Sequence, residues 1–331
     1  LKRINLDLTG LLPNIEVQED FLNNPSPENY KKVINKLLAS PHYGEKMAIS
    51  WMDLARYADS HGYQDDGLRT MWPWRDWVIH AFNKNYSYKK FVSWQIAGDF
   101  IAPNNKEAIL ATGFNRNHKI TQEGGVIQEE YRTEYVTDRT NTFSKSFLGL
   151  TMECAKCHDH KYDPISQEEY FKTFAFFNQV DEKGLVGDIS LGSLADPPLI
   201  KISKKEVNEL LKFINLQDTT VSVMVMKDLE QRRPTHILRR GQYDQPDRTV
   251  GFGLPEAVLP YDTLKFSPNR KGLSDWMFDD NNPLVARVFV NRVWENFFGR
   301  GLVKTSGDFG LQGDLPSHLA LLDWLAVDFK E

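Results

Sequence analysis

The stretch Cys154-Ala155-Lys156-Cys157-His158 connects two segments rich in aromatic residues, and it determines which fold we predict around it. It holds the only two cysteines among 331 residues, three positions apart, with histidine directly after the second. Two thiols at this spacing can add to the two vinyl groups on one edge of a haem, and the next imidazole can bind the iron. We predict one covalent haem c on Cys154 and Cys157, with His158 as the proximal iron ligand.

Three other kinds of site use similar residues. A thioredoxin-like redox pair is typical of a helix start in a βαβ unit, whereas the surrounding pattern here is helical. Structural zinc needs four ligands, which usually come from two pairs that are well separated in the sequence. Here the four candidate ligands all lie within residues 154–160. A disulfide between residues three apart is geometrically awkward and leaves the histidine unexplained. We therefore favour haem attachment.

The ligand on the far side of the iron is less constrained by the sequence. His118 is our first candidate because it ends the polar segment 115–118, shortly before a double glycine and a long predicted helix. His61, in a polar loop, and His42 are weaker candidates, and Met152 is too near the attachment site to reach the opposite face. The alternative for each histidine is an ordinary surface or hydrogen-bonded residue.

Four further residues are predicted around the haem. His160 follows the proximal ligand by two positions, so we expect it to reach a propionate, a group that supports the ligand, or a substrate. Arg132, Asp138 and Arg139 lie on the long helix predicted before the cysteines. The two arginines are seven residues apart and share a helix face, from which both could approach the propionates. The alternative for these charges is a solvated helix face.

Hydrophobic periodicity and capping residues predict mostly helices on both sides of the cysteines. Ser26 and Pro27 are typical of a helix start, here of a helix that ends before Pro41, and Ser166 with Glu169 resembles a capping box. Residues 219–226 alternate apolar and polar side chains and form the best strand candidate. Further helices are predicted at residues 45–58, 73–82, 88–96, 126–148, 204–213, 283–297 and 316–329.

Composition divides the chain into three parts. The stretch 183–198 is rich in Gly, Ser and Asp and marks a boundary, while residues 236–260 are rich in Gly, Pro and charge and predict an extended connector. We therefore predict a mainly α fold. It has a helical c-type haem domain at 1–182, a linker or small β-containing segment at 183–260, and a mostly helical C-terminal domain at 261–331.

Charge and hydropathy exclude two classes of partner. The formal net charge of −5 is mild and no run of Lys and Arg forms a basic patch, which argues against nucleic acid. No stretch approaches the roughly 18 consecutive apolar residues that a membrane span needs. The sequence begins at Leu1 without an apolar leader, so we expect an export signal to have been removed or to lie outside it, and we expect a periplasmic or otherwise exported protein.

Much of the sequence resembles the planctomycete-type cytochrome family of unknown function. That family carries the same Cys-x-x-Cys-His-Asp-His-Lys segment found here at 154–161, and its usual partner module resembles the C-terminal part. The cytochrome module is matched at 51–59, 72–79, 111–114 and 154–170, and the partner module at 282–284, Arg287, 290–294, 298–302 and 316–318.

The resemblance implies an exported bacterial protein, often encoded near sulfatases and polysaccharide-degrading enzymes. Family members commonly begin with a further small cytochrome c module and have a longer central region, so we expect this sequence to be part of a longer chain. We predict that the protein passes electrons to a redox partner, or uses haem iron to oxidise a small molecule or carbohydrate. It would act in bacterial polysaccharide degradation.

Two alternatives stay open at this point. One is a carbohydrate-binding or scaffolding protein with a structural haem, which exposed rings at Trp72, Trp74 and Trp77 would favour. The other is a Cys/His metal site without haem.

Overall fold

The structure, a computed structural model, describes residues 1–64, 66–185, 195–203, 206 and 220–330. These residues form twelve α-helices and two small antiparallel sheets, which confirms the predicted mainly α fold with a small β segment. The helices before the cysteines are α1 (Lys2–Thr9), α2 (Ile15–Asn23), α3 (Pro27–Leu38), α4 (Pro41–Leu54), α5 (Trp72–Asn83), α6 (Tyr88–Ile101), α7 (Lys106–Ala111) and α8 (Gln128–Phe143). Those after them are α9 (Gln167–Phe174), α10 (Arg270–Met277), α11 (Val285–Phe298) and α12 (Leu319–Lys330).

Each sheet is a single antiparallel pair. Strands β1 (Leu199–Ser203) and β2 (Thr220–Met224) form the first, with Ile200 opposite Val223, and β2 lies within the predicted strand 219–226. The helix predicted at 204–213 falls, apart from Glu206, on residues outside the described part of the chain.

The prediction of an extended connector at 236–260 was wrong in part. Strands β3 (Thr235–Leu238) and β4 (Pro246–Val250) pair in this region, with Thr235 opposite Val250, and a 3₁₀ turn at Arg239–Gly241 joins them. The short strands carry mostly charged and polar side chains, so alternating hydrophobicity did not reveal them. Their buried apolar residues, Ile237 and Leu238, belong to the main core.

Side-chain caps explain where several helices begin. The Ser26 hydroxyl accepts a hydrogen bond from the Asn29 backbone N–H at 3.1 Å and starts α3 as predicted. At α9 the predicted capping box is formed, because Ser166 accepts from the Glu169 N–H and the Glu169 carboxylate accepts from the Ser166 N–H. This cap starts the helix that follows the cysteines.

The helix predicted at 45–58 is displaced toward the N-terminus, so its predicted bounds were wrong. It starts at Pro41 because Ser40 caps the new turn, with its hydroxyl 3.4 Å from the His42 backbone nitrogen. It ends at Leu54 because Arg56 adopts a positive φ of 57°, which no helical residue has. The apolar stripe continues beyond this point in sequence, but the backbone does not follow it.

The long helix predicted at 126–148 is α8 followed by one turn of π-helix at Ser144–Leu148. The turn ends at Gly149, whose φ is 59°. A Cβ there would lie 2.8 Å from Phe309 and 2.9 Å from Val288, so both conformation and space require glycine. The chain then leads directly into the cysteine stretch.

An aromatic core lies beneath this region. Trp51 contacts Phe91, Phe114 and Phe147, with ring centroids 4.8 to 6.1 Å apart, and joins α4, α6 and the π turn. A smaller cluster lies between α11 and α12 and includes Ala286, Val290 and Leu322, together with Leu302, Val303 and Ala326.

The C-terminal part contacts the chain on both sides of the cysteines. Arg292 of α11 donates to the carbonyls of Lys145, at 2.6 Å, and of Ser146 in the π turn. The Phe309 N–H donates to the Gly149 carbonyl at 2.6 Å, and the Leu311 N–H donates to the Asp163 carboxylate at 2.6 Å. These contacts hold the cysteine segment between two fixed points.

Within the described residues, no helix combines the length and the apolar character needed to cross a lipid bilayer.

Candidate functional site

Both cysteine thiols are free and exposed. They lie at a 3₁₀ turn, Glu153–Lys156, in which the Ala155 N–H donates to the Met152 carbonyl and the Cys157 N–H donates to the Cys154 carbonyl at 3.2 Å. Ala155 is fully buried and anchors the turn between the two cysteines. The thiols are therefore available to a ligand that approaches from solvent.

His158 is exposed and its ring orientation is set by one hydrogen bond. Its Nδ1 lies 2.6 Å from the carbonyl oxygen of Asp159. A carbonyl can only accept, so Nδ1 carries a proton, and in the neutral imidazole the lone pair is on Nε2. This is the tautomer of an imidazole that binds a metal through Nε2 while its other nitrogen donates to a carbonyl.

Three neighbouring elements fix the cysteine turn. The Lys156 ammonium lies 2.6 Å from the Glu134 carboxylate of α8. The Gln167 amide of α9 donates to the carbonyls of Lys156, at 2.9 Å, and Leu238 of β3. In the β3–β4 turn, a Cβ on Gly241 would lie 3.0 Å from the Cys157 sulfur. The turn is thus held by α8, α9 and the hairpin, and the hairpin backbone passes directly beside one thiol.

His160 has the opposite tautomer from His158 and a largely buried ring. Its Nδ1 accepts from the backbone N–H of Asp163 at 2.8 Å and of Tyr162 at 3.3 Å, so the proton lies on Nε2. The Asp163 carboxylate, 3.7 Å from this ring, also accepts from the Leu311 N–H. His160 therefore stabilises the turn after the cysteines in this structure.

His118 is buried, whereas His158 is exposed. Its Nδ1 donates to the Lys119 carbonyl at 2.9 Å, its Nε2 faces a guanidinium nitrogen of Arg139 at 3.4 Å, and Tyr135 stacks on its ring. Burial, and then the positive charges of Arg139 and Arg116, hold the pKa of His118 well below its usual range. The imidazole is neutral at physiological pH.

A buried carboxylate, Glu182, holds the arginines beside His118. It pairs with Arg116 at 2.7 Å and with both terminal nitrogens of Arg139. Burial alone would raise the pKa of Glu182, but the charges and hydrogen bonds of Arg139 and Arg116 outweigh it and lower that pKa. Glu182 could not be identified from the sequence, because its charged neighbours Asp181 and Lys183 give no sign that one charge in this run is buried.

The other predicted charges of α8 also have protein partners. Arg132 donates to Glu129 at 2.8 Å and to the Asn178 side chain at 2.7 Å. Asp138 lies 2.6 Å from Arg56. Arg132 and Arg139 are both buried and both face the segment 178–182 that follows α9.

His61 lies in a segment next to that of His118. The backbone N–H of His61 donates to the Gly67 carbonyl, and the backbone carbonyl of His61 accepts from the Ile120 N–H at 3.1 Å. Arg69, from the same loop, donates to the carbonyls of Asn117 and His118 at 2.9 and 2.7 Å. The structure therefore brings the two candidate distal ligands into adjacent segments, whereas the contacts of the cysteine turn are with α8, α9 and the hairpin.

The residues present fit haem attachment on the proximal side. Two free thiols, three residues apart, lie beside an exposed imidazole with an available Nε2 lone pair. Among the described residues, no group of three or more His, Cys, Asp or Glu side chains is arranged to hold a metal ion.

The three tryptophans that could favour carbohydrate binding belong to the core. Trp74 and Trp77 have no exposed surface, and their indole N–H groups donate to the Ala111 carbonyl and to Glu107, both at 3.1 Å. Trp72 is partly buried against the same core. Their burial counts against their use as a sugar-binding platform.

Comparison with known proteins gives two family matches. Residues 1–182 match the family described as PSCyt2, a protein of unknown function (DUF1549). Residues 269–331 match the family described as PSD1, also a protein of unknown function (DUF1553). No curated protein and no solved structure matches the chain.

Proposed function

The chain belongs to the PSCyt2 family, a planctomycete cytochrome-like family of unknown function, and from that premise we propose that it is a c-type haem protein. In this proposal Cys154 and Cys157 form the thioether bonds and His158 is the proximal iron ligand. The observation that carries the proposal is the pair of free, exposed thiols beside an imidazole whose Nε2 is available.

The chain's own residues would prepare this attachment. The Asp159 carbonyl accepts from Nδ1 of His158 and so selects the neutral tautomer whose lone pair is on Nε2, while the Lys156 to Glu134 ion pair fixes the turn against α8. Gly241 leaves room beside the Cys157 sulfur that any side chain would fill. When bound, haem would supply a one-electron redox centre.

The distal ligand decides between two activities. His118 stays our first candidate and His61 the second, but the Nε2 lone pair of His118 faces the Arg139 guanidinium. Because iron and guanidinium would compete for that lone pair, His118 can bind iron only if its ring moves away from Arg139. A filled distal position favours electron transfer to a redox partner, and an open one favours oxidation of a substrate.

We further propose that the protein acts outside the cytoplasm in polysaccharide degradation, with a redox partner protein or a carbohydrate as its partner. Support for the location comes from the covalent attachment motif, which keeps the cofactor bound where free haem is scarce. Support for the pathway comes from the family resemblance described above.

An absorption spectrum tests the proposal. Protein from a haem-maturing host should show a Soret band, which shifts after reduction with dithionite, and a haem stain that persists on a denaturing gel. Binding of carbon monoxide would indicate an open distal position, and no binding would indicate a filled one. A colourless protein with two titratable thiols would refute the proposal.

Matched variants separate attachment from ligation. The Cys154→Ala, Cys157→Ala double variant should lose the stain on the denaturing gel, and His158→Ala should change the spectrum while a covalent stain stays. His318→Gln is the control, because this exposed histidine lies in the C-terminal part and, among the described residues, its ring contacts only the Ser317 hydroxyl, and it should keep the spectrum of the unmodified protein.

A further inference from the structure

One cavity is lined by three of the segments through which the C-terminal part resembles the partner module, 290–294, 298–302 and 316–318. It has a volume of about 560 Å³, within the range of roughly 300–1,000 Å³ found for small-molecule sites. Its walls come from residues of the segments 300–304 and 314–318, together with Trp294 of α11. The proposed haem attachment uses none of these residues, so it does not explain why they surround one space.

Hydrogen bonds fix the backbone around this cavity. The buried side chain of Asn291 donates to the Val303 carbonyl at 2.9 Å and accepts from the Val303 N–H at 2.8 Å. The N–H and the hydroxyl of Ser317 both donate to the Leu302 carbonyl, at 2.8 and 3.2 Å, and so join the two segments. A Cβ on Gly301 would lie 2.4 Å from the Val303 carbonyl oxygen, so the chain needs glycine here. The walls are therefore preformed.

The charged side chains in the lining are uncommitted. Within the described part of the chain, Arg300 and Lys304 have no ion-pair or hydrogen-bond partner, and the Asp314 carboxylate has none either. Two of these groups are cationic and one is anionic, so the lining carries net positive charge whatever the protonation state of His318. The positive end of the α12 dipole adds to this charge, because α12 begins directly after residue 318.

Two other carboxylates of the C-terminal part bind elsewhere. Glu295 accepts from the Ser306 hydroxyl, and Asp308 accepts from the Gly310 N–H at 2.9 Å. Neither pairs with Arg300 or Lys304. The two cations in the lining are therefore available to an anion that enters from solvent.

Trp294 and Leu315 add an uncharged donor and an apolar surface. The indole N–H of Trp294 has no acceptor among the described residues and is accessible to solvent. Phe298 stacks on this indole, with ring centroids 4.2 Å apart, and so helps to hold it in place. Leu315 is 89% exposed. The lining thus combines cations, one acceptor, one neutral donor and an apolar contact.

We propose that this cavity binds a sugar acid, a molecule with one carboxylate and several hydroxyl groups. Arg300 and Lys304 would bind the carboxylate, the guanidinium through two parallel hydrogen bonds and the ammonium as a point charge. Asp314 would accept from one hydroxyl, the Trp294 N–H would donate to another, and Leu315 would contact the C–H face of the ring. A neutral sugar would leave both cations without a counter-charge, and a simple carboxylate would leave the acceptor and the indole unused.

Two sources can supply such a ligand. One is a free sugar acid, and the other is an acidic residue within a polysaccharide chain. Arg300, Lys304, Asp314 and Leu315 are all exposed, so a longer chain could extend beyond the cavity. The two sources share the same recognition chemistry at the carboxylate and differ only in the length of the ligand.

Isothermal titration calorimetry of the purified protein tests the site. Galacturonate should bind saturably, whereas galactose, which lacks the carboxylate, and acetate, which lacks the hydroxyl groups, should bind at least tenfold more weakly. Added sodium chloride should weaken the binding of galacturonate, because exposed charges are screened by salt.

Variants assign the interactions to residues. Arg300→Gln and Lys304→Met should each lower the affinity for galacturonate at least fivefold, and Asp314→Asn should lower the affinity for galacturonate without lowering that for acetate. Lys31→Met is the matched control for Lys304→Met, since Lys31 is also an exposed lysine without an ion-pair partner in the described chain, but it lies on α3. It should bind galacturonate like the unmodified protein.

Three results would overturn the proposal. One is the absence of saturable binding of both galacturonate and trigalacturonate. Another is equal affinity for galactose and galacturonate, which would show that the cations do not recognise a carboxylate. The third is an equal effect of Lys31→Met and Lys304→Met, which would show that binding follows only the overall charge of the protein.

Titration with trigalacturonate identifies the source. An affinity at least tenfold higher than that for galacturonate would assign the site to a polysaccharide chain, and a similar affinity would assign it to a free sugar acid. Either result supports the site. Because no step of the binding involves haem, the absorption spectrum tests the proposed function separately.

Discussion

Two histidines in the same stretch have opposite roles at the residue scale. His158 donates from Nδ1 and leaves Nε2 free, while His160 accepts at Nδ1 and is fixed by the backbone of the following turn. The sequence distinguishes them only through the position of His158 after Cys157. Which nitrogen of each ring is available depends on backbone groups brought near by the fold, so spacing alone cannot predict it.

His118 should make the stability of haem-free protein depend on pH. Its folded-state pKa is depressed by burial and by Arg139 and Arg116, so the unfolded state binds its proton more readily. The free energy of unfolding should therefore fall as pH drops below about 6.5, the pKa of an unperturbed histidine, by up to about 1.4 kcal/mol per pH unit. His118→Gln should flatten this dependence in urea unfolding between pH 6.5 and 5.

Asp196 changes the free energy of unfolding with pH in the opposite direction, because burial raises its folded-state pKa to about 6. The effect of His118 is therefore measured as a difference between two proteins. The difference between unmodified protein and His118→Gln removes that contribution. An unchanged slope in His118→Gln would show that the imidazole is not held neutral.

Glu182 should be essential for folding stability. Glu182→Gln leaves Arg116 and Arg139 buried without their shared carboxylate, and we expect a loss of about 3–5 kcal/mol in the free energy of unfolding. Glu168→Gln removes a partly exposed carboxylate that pairs with Lys172 and Arg248 and should cost less than about 1 kcal/mol. Equal losses in the two variants would contradict the buried network.

At the scale of elements, helix starts are more predictable than helix ends. Ser26 and Ser166 act through hydrogen bonds to residues three positions ahead, so the sequence contains the whole signal. The end of α4 depends on Arg56, whose positive φ of 57° no local sequence pattern predicts. The β3–β4 hairpin was missed because its apolar residues Ile237 and Leu238 are adjacent and do not alternate with polar ones, while β4 is almost entirely exposed and is stabilised by pairing with β3.

The junction between the π turn and the cysteine stretch should be sensitive to one methyl group. Gly149→Ala places a Cβ 2.8 Å from Phe309 at a φ of 59°, so strain and overpacking act together. We expect a loss of about 2–4 kcal/mol in the free energy of unfolding, measured in urea. Gly251→Ala, where no atom lies within 4 Å of the added Cβ, is the control and should change stability by less than about 1 kcal/mol.

At the scale of the whole molecule, the two family matches describe parts that contact each other around the cysteines. Arg292, Phe309 and Leu311 lie in the part matched by PSD1, and they bind the π turn, Gly149 and the turn after His160. The sequence predicted helices in both parts. These contacts could not be predicted from the sequence, because each is a single hydrogen bond to or from a backbone group and joins residues about 150 positions apart.

The candidate site also has one part that could be predicted from the sequence and one part that could not. The attachment motif is local and was found from the sequence, as were His118 and Arg139 as individual residues. The cluster around them was not, because Arg69, Arg116 and Glu182 come from separate segments and carry no local signal. Their shared position depends on the packing of α8 against the segments before and after it.

The most direct test of the haem assignment is the intact mass of the protein isolated from the periplasm of a haem-maturing host. We predict a mass greater than that of the polypeptide by one haem, and the polypeptide mass alone for the Cys154→Ala, Cys157→Ala double variant. The polypeptide mass for the unmodified protein, with both thiols free to alkylation, would contradict the account.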